Sequence, residues 1–117
     1  MSQRGKDAEN TACDYLLSQG LRLLMRNFRT RRGELDLVLL DGETLVVAEV
    51  RSRSHAGFGG ALASIGGRKR DRIVHTTRQL LAQRPALAKR PVRFDVIALE
   101  PTGKLHWVRG AFDAGGF

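Results

Sequence analysis

Apolar positions along the chain repeat with two periods, and each period marks its own kind of element. From Gln3 to Ser18 the residues Ala8, Ala12, Tyr15 and Leu16 recur at helical spacing, and Gly20 follows where a helix-ending glycine belongs. This segment is expected to be an amphipathic helix. The run Leu21 to Phe28, LRLLMRNF, is too short for its period to separate strand from helical turn, but the glycine before it and the polar RTRRG after it favour a strand. LDLVLL and TLVVAEV flank Asp41-Gly42-Glu43, and Asp-Gly between two β-rich runs signals a hairpin, with strands at about 34–40 and 44–51. Residues 51–67 hold five glycines and no sustained period, so they read as a loop. A second helix is expected from about Arg68 to Gln83, where Ile73, Thr77, Leu80 and Leu81 form one stripe and Pro85 stops it. VRFDVIAL and KLHWVRG are strand-like runs joined by the turn Glu100-Pro101-Thr102-Gly103.

The order is αβββαββ. A helix between the third and fourth strands makes that pair parallel, while tight turns make the other pairs antiparallel. The expectation is an α/β fold with a mixed β-sheet flanked by helices, forming one domain over residues 1–117 without repeat or linker.

Composition narrows the function. With 117 residues and 42% hydrophobic content the chain can bury a core of its own, which excludes disorder as its bulk state. One cysteine, Cys13, permits no internal disulfide and no Cys-rich zinc site, which fits a reducing cytoplasm. The polar N-terminus and the lack of an apolar run of about 18 residues argue against secretion and membrane insertion. Lys and Arg number 20 against 12 acids, a net charge of +8, and 16 of the 20 are Arg. The planar guanidinium grips phosphate at two points, so a nucleic-acid partner is the first expectation. The competing reading is that Arg replaces Lys through genome base composition and the charge serves solubility.

The central hairpin concentrates the chemistry. A two-residue turn at Asp41-Gly42 would set Asp36 opposite Val47, and a four-residue loop from Asp41 to Thr44 would set it opposite Glu49. Either register leaves Asp36, Glu49 and Arg51 on one face, with Glu34 beside them, because side chains alternate with period two. Adjacent acids on a largely apolar strand pair need positive compensation. Mg²⁺ is commonly held by one or two carboxylates, waters and substrate phosphate, so two acids suffice. The alternative is a solvated outer face with Asp36 paired to an arginine. Arg22, Arg26, Arg29, Arg31 and Arg32 precede the hairpin and Arg51, Arg53, Arg68, Arg70 and Arg72 follow it, which brackets the acids with positive charge suited to a phosphate backbone.

Gly33-Glu34-Leu35-Asp36-Leu37, the hairpin, and Val47-Ala48-Glu49-Val50-Arg51-Ser52-Arg53 resemble the YraN-like family of small bacterial proteins, itself similar to the PD-(D/E)XK nucleases near the Holliday junction resolvases. Gly5, Glu9 and Ala12, the run Arg26-Asn27-Phe28-Arg29, Lys69, and Arg93-Phe94-Asp95-Val96 also match, so the resemblance covers nearly the whole chain. It implies a restriction-endonuclease-like core and a Mg²⁺- or Mn²⁺-dependent endonuclease acting on DNA, branched or otherwise structured. Asp36 and Glu49, with the Val50 carbonyl, would hold the metal, and Glu9 would support the site. The superfamily's lysine falls at Arg51, a departure: arginine stays protonated and cannot accept a proton, though it can hold phosphate. Lys69, four residues before Ile73 on the line facing the sheet, is the replacement candidate; its plainer role is a stem covering apolar surface. A resolvase needs two active sites and hence a homodimer, for which no face stands out. Arg26, Arg29, Arg31, Arg32, Arg53 and Arg68 are the expected nucleic-acid contacts.

Other signals are weaker. His55, His75 and His106 have no zinc-hydrolase spacing, no Ser lies in GxSxG, and Gly57-Phe58-Gly59-Gly60 lacks the rest of a phosphate-binding loop. His55 and Phe58 read as loop residues with a phosphate contact and a base stack as their functional alternatives. Asp95 beside Arg93 reads as a structural ion pair or hydrogen-bond acceptor. Besides the nuclease, two further functions stay open: a nucleic-acid-binding module that keeps the fold without hydrolysis, and an interaction subunit whose basic surface meets an acidic protein.

Overall fold

The computed structural model describes residues 3–52 and 65–114, with residues 3–5 described by their backbone only. Helix α1 (Gln3–Ser18) is followed by β1 (Arg22–Arg29), β2 (Glu34–Asp41), β3 (Thr44–Ser52), helix α2 (Gly67–Gln83), β4 (Val92–Leu99) and β5 (Leu105–Phe112). The strands form one sheet in the order β1-β2-β3-β4-β5, antiparallel throughout except for the parallel β3–β4 pair that α2 connects. The αβββαββ order and mixed sheet are those of the expected restriction-endonuclease-like core. No helix among the described residues is long and apolar enough to cross a membrane.

One helix covers each face. Val38, Leu40, Leu45 and Val47 point to the side where Ile73, Val74 and Leu80 of α2 close the first core cluster. Leu37, Leu39, Val46 and Ala48 point the other way, onto Ala12, Cys13 and Leu16 of α1. Because β2 and β3 are buried on both faces, their sequences are near-continuous apolar runs rather than alternating ones. A charged residue within them is therefore conspicuous.

Helix α1 stops as its sequence dictates. Gly20 adopts φ +94°, the Leu21 amide donates to the Leu16 carbonyl and the Gly20 amide to that of Leu17, a Schellman closure whose left-handed position suits glycine. The helical end thereby delivers the buried Leu21 to the start of β1.

The hairpin between β2 and β3 chooses the second of the two expected registers. Asp41 pairs with Thr44 and Leu37 with Ala48, so the central turn residues are Gly42-Glu43 and not Asp41-Gly42. Gly42 has φ +59°, which a two-residue turn with glycine in first place requires. Asp41 is kept in the strand by Arg93 at the start of β4, whose Nη2 donates to its carboxylate at 3.0 Å.

Candidate functional site

The register brings Asp36 and Glu49 to the first positions beyond the last paired residues of β2 and β3. Here the strands part, and their backbone amides turn to side chains: the Val50 N–H donates to Asp36 Oδ2 at 2.9 Å, and the Asp36 N–H approaches Glu49 Oε2 at 3.5 Å, a long and weak contact. A cavity of about 210 Å³ opens at this point, lined by Asp36, Glu49, Glu34, Lys69, Arg32 and Arg72. Four of the expected residues, Asp36, Glu49, Lys69 and Arg32, thus meet around one space.

Burial dominates the electrostatics. Glu49 is 3% exposed. Its carboxyl is pushed up to about 8, first by burial and then by the Asp36 charge, while Lys69, the Asp36 amide and Arg51 pull the other way. Asp36 is pushed up to about 6, again first by burial; the Val50 amide and Lys69 lower it and Glu9 and Glu34 raise it. Burial and mutual repulsion therefore both oppose a second negative charge on the pair.

The remaining acids form a second layer toward α1. Glu9, 6% exposed on α1, accepts from Asn27 Nδ2 at 3.0 Å, and the same amide donates to Glu34 Oε1 at 2.9 Å. Asn27 has φ +54°, a left-handed conformation that Asn tolerates better than most residues. Its position in β1 stands level with Asp36, between the pairs Arg26–Leu37 and Phe28–Leu35. Side-chain alternation breaks at that level in both strands. Leu35 and Val38 are three residues apart yet belong to the same cluster under α2, and Met25 and Phe28, also three apart, both pack against it. The break at Asn27 and Asp36 lets side chains of one level serve both the cavity and the α1 side.

The β1–β2 turn completes the wall. Gly33 lies so close to α2 that a Cβ there would stand 2.8 Å from Thr76 Oγ1, itself donating to the Arg72 carbonyl at 2.7 Å. Only glycine lets the turn carrying Arg32 pack against the helix carrying Lys69 and Arg72.

The other expected contacts are spread more widely. Arg26 faces Glu9 at 3.6 Å and Arg29 faces Glu34 at 3.4 Å. Arg31 and Arg68 are exposed and do not line the cavity, whereas Arg32 does. Arg51 is half-buried with its Nε enclosed and without a hydrogen-bond partner. Arg53, His55 and Phe58 lie outside the described residues. Asp95 is the structural acceptor expected of it: fully buried, it takes hydrogen bonds from Arg93 Nε and Nη2, Trp107 Nε1 and the Gly110 amide, all at 2.9–3.0 Å. Sequence reasoning did not place Asn27 or Arg72 in the site. The one local clue to Asn27 is its residue type, enriched at positive φ; Arg72 had only its membership in a basic run.

Among the described residues no group of three or more His, Cys, Asp and Glu is arranged to hold a metal ion. The donor set is instead two carboxylates, Asp36 and Glu49, which suits a hard cation that keeps water and takes phosphate oxygens, and does not suit zinc. Two acids whose joint ionisation burial opposes fit such a cation, because its charge would offset theirs.

Residues 8–99 match the uncharacterised protein family UPF0102. The chain is 52% identical over 113 residues to a UPF0102 protein of Pseudomonas putida strain W619, covering 93% of this chain and 92% of that one. It is 49% identical over 116 residues to one of Pseudomonas paraeruginosa, covering 95% and 93%, and 50% identical over 113 residues to one of Pseudomonas entomophila, covering 93% and 92%. With its fold and nearly its whole length accounted for in this way, the chain belongs to the UPF0102 family, the YraN-like group.

Proposed function

We propose that this protein is a Mg²⁺- or Mn²⁺-dependent endonuclease acting on nucleic acid, DNA first, by attack of water on a phosphodiester. The observation that carries the reading is the placement of Asp36 and Glu49 side by side at the parting of two apolar strands, with Lys69 and two arginines around the same cavity. Asp36, Glu49 and the Val50 carbonyl would hold the cation, which when bound neutralises charge at the phosphate and makes a nearby water more acidic. A bound cation would favour the ionised form of both carboxylates, which burial alone opposes. Lys69 acts on both acids through its charge and, unlike Arg32 and Arg72, is a basic side chain of the cavity that can take part in proton transfer. Arg51, whose charge acts on Glu49 from two positions further along β3, would steady a phosphate oxygen. A four-way junction substrate would need two such sites and therefore a dimer.

Arg51 also supports a second reading. It stands two residues after Glu49, where the superfamily's lysine would fall, and cannot act as a base, so a domain that binds nucleic acid without cutting it keeps the same geometry. Cleavage and binding measured together on linear, forked and four-way DNA, with Mg²⁺ or Mn²⁺ and with chelator, separate the two. The nuclease requires cation-dependent cleavage that falls by orders of magnitude in Glu49→Gln while metal-free binding is retained. Binding without cleavage, in wild type and in Arg51→Lys alike, replaces it with the second reading. Cleavage unchanged in Glu49→Gln after removal of contaminating nucleases removes the catalytic assignment.

A further inference from the structure

We propose that a second hollow, on the outward side of α2, is a phosphate-backbone subsite that guides one nucleic-acid strand to the carboxylate cavity. The inference rests on the nucleic-acid reading above and adds the path the strand takes. The hollow is a cleft of about 380 Å³ whose lining includes Arg32, Arg70, Arg72 and Arg78, with Asp71 and Asp113 as its acids.

Charge divides the two hollows. Four guanidinium groups against two carboxylates leave the cleft at +2, whereas the cavity next to it has three cations, Arg32, Lys69 and Arg72, against three acids, Glu34, Asp36 and Glu49. A polyanion is therefore drawn into the cleft rather than the cavity. The cleft and the cavity are also neighbours, because Arg32 and Arg72 line both. A phosphate held between these two arginines has its chain continuing into the cleft on one side and facing Asp36 and Glu49 on the other.

Length and lining agree with a strand. Arg72 and Arg78 lie six residues apart on α2, about 9 Å along the axis at 1.5 Å per residue, which spans two to three nucleotides at about 3.4 Å each. Arginines dominate the lining and His75 is its one ring, so the interaction expected is chiefly with the phosphate backbone and largely independent of sequence. Part of the wall is held in place before any ligand arrives. Arg70 Nε donates to the Ile65 carbonyl at 3.0 Å and its guanidinium lies 5.4 Å from the Phe112 ring centre, while Gly33 packs the turn bearing Arg32 onto α2. Side chains already ordered lose little entropy on binding.

The test is metal-free anisotropy of a fluorescent DNA duplex titrated across a salt series, with Arg72→Ala, Arg78→Ala and the comparator Lys89→Ala. Lys89 is exposed and lies in the connection from α2 to β4, where the Leu45 amide donates to the Pro91 carbonyl at the start of β3, four residues and so about 14 Å along the strand from Glu49. Each cleft variant should weaken binding about fivefold or more and reduce the slope of log affinity against log salt by about 0.9 for each phosphate no longer neutralised. Lys89→Ala should shift affinity less than twofold, and Arg72→Lys should retain most of the wild-type salt slope. Thermal unfolding of each variant confirms that the fold is kept. Wild-type binding by both cleft variants, or an equal loss in Lys89→Ala, overturns the proposal, as does equal competition by a poly-glutamate peptide, which would make the cleft a site for acidic protein. Weakened binding in the cleft variants alongside absent cleavage keeps the subsite and removes the hydrolase. Unaltered binding in them alongside normal cleavage removes the subsite alone.

Discussion

Glu49→Gln should make the metal-free protein more stable at neutral pH and remove a pH dependence that wild type shows. The folded protein holds Glu49 up at about 8 and Asp36 at about 6, against ordinary values of 4.5 and 3.8. A raised carboxyl binds its proton more tightly in the folded state, so its contribution is fully present below the unfolded value. It is lost as pH rises toward the folded value, here from about 4.5 to about 8. Between pH 4.5 and 7 the unfolded chain ionises Glu49 while the fold retains the proton, and about 1.4 kcal/mol per pH unit gives a ceiling of about 3 kcal/mol. Relaxation and water entry into the cavity reduce that to about 1–2 kcal/mol. With a urea slope of about 1–3 kcal/mol per molar, the midpoint should fall by about 1 M from pH 5 to pH 8 in wild type. It should fall by clearly less in Glu49→Gln.

The assay is urea unfolding followed by the single tryptophan, Trp107, in chelator at several pH values. All other titratable groups are the same in both proteins, so the difference between the two curves isolates Glu49 and its coupling to Asp36. Adding Mg²⁺ at the high-pH end should restore wild-type stability and leave Glu49→Gln largely unmoved, since only the ionised pair takes up the cation. Parallel pH curves for the two proteins would refute the reasoning from burial. A Mg²⁺ response equal in both would refute the cation's place between the acids.

Asn27→Gly should be better tolerated than Asn27→Ala, because glycine accepts φ +54° freely while alanine there costs about 1–2 kcal/mol more; equal melting temperatures would show that the amide, not the backbone, is what the position requires. Asp95→Ala strands the Nε of the half-buried Arg93, the Trp107 N–H and the Gly110 amide, and should cost about 3 kcal/mol of unfolding free energy, with a loss below about 1 kcal/mol contradicting its role as the junction of β4 and β5.

What the sequence revealed and concealed follows from the range of the forces involved. Helix α1 was legible because its stripe and its terminal glycine act within a few residues, and the parallel β3–β4 pair was legible because a helix intervenes. The hairpin register was not. The two alternatives differ by two in the sum of paired positions, which leaves every side chain on the same face, so periodicity cannot choose between them. The structure adds glycine in first place in the turn, together with the grip of Arg93 on Asp41, a contact spanning 52 positions. The candidate site divides in the same way. Asp36 and Glu49 stand out because charges interrupt apolar runs, but the break in alternation at Asn27 and the seating of Gly33 against Thr76 depend on packing between distant elements.

The sheet itself supplies a control for reading the acidic pair. Asp95 shows how this fold treats a carboxylate that serves structure: full burial, two bonds from one guanidinium and two more from an indole and a backbone amide. Asp36 and Glu49 lie on the same sheet and receive far less among the described residues, one good amide bond for Asp36 and one long contact for Glu49, with a lysine acting on both through space. Burial raises both, where full pairing would have kept a charge. Apolar residues of similar size at these two positions would cost the fold nothing of this kind, since the surrounding strand positions are already apolar. A pair whose ionisation burial opposes, next to a cleft of arginines, is explained when a cation and a phosphate together supply the missing charges. The stability of Glu49→Gln against wild type, with and without Mg²⁺, measures that exchange directly.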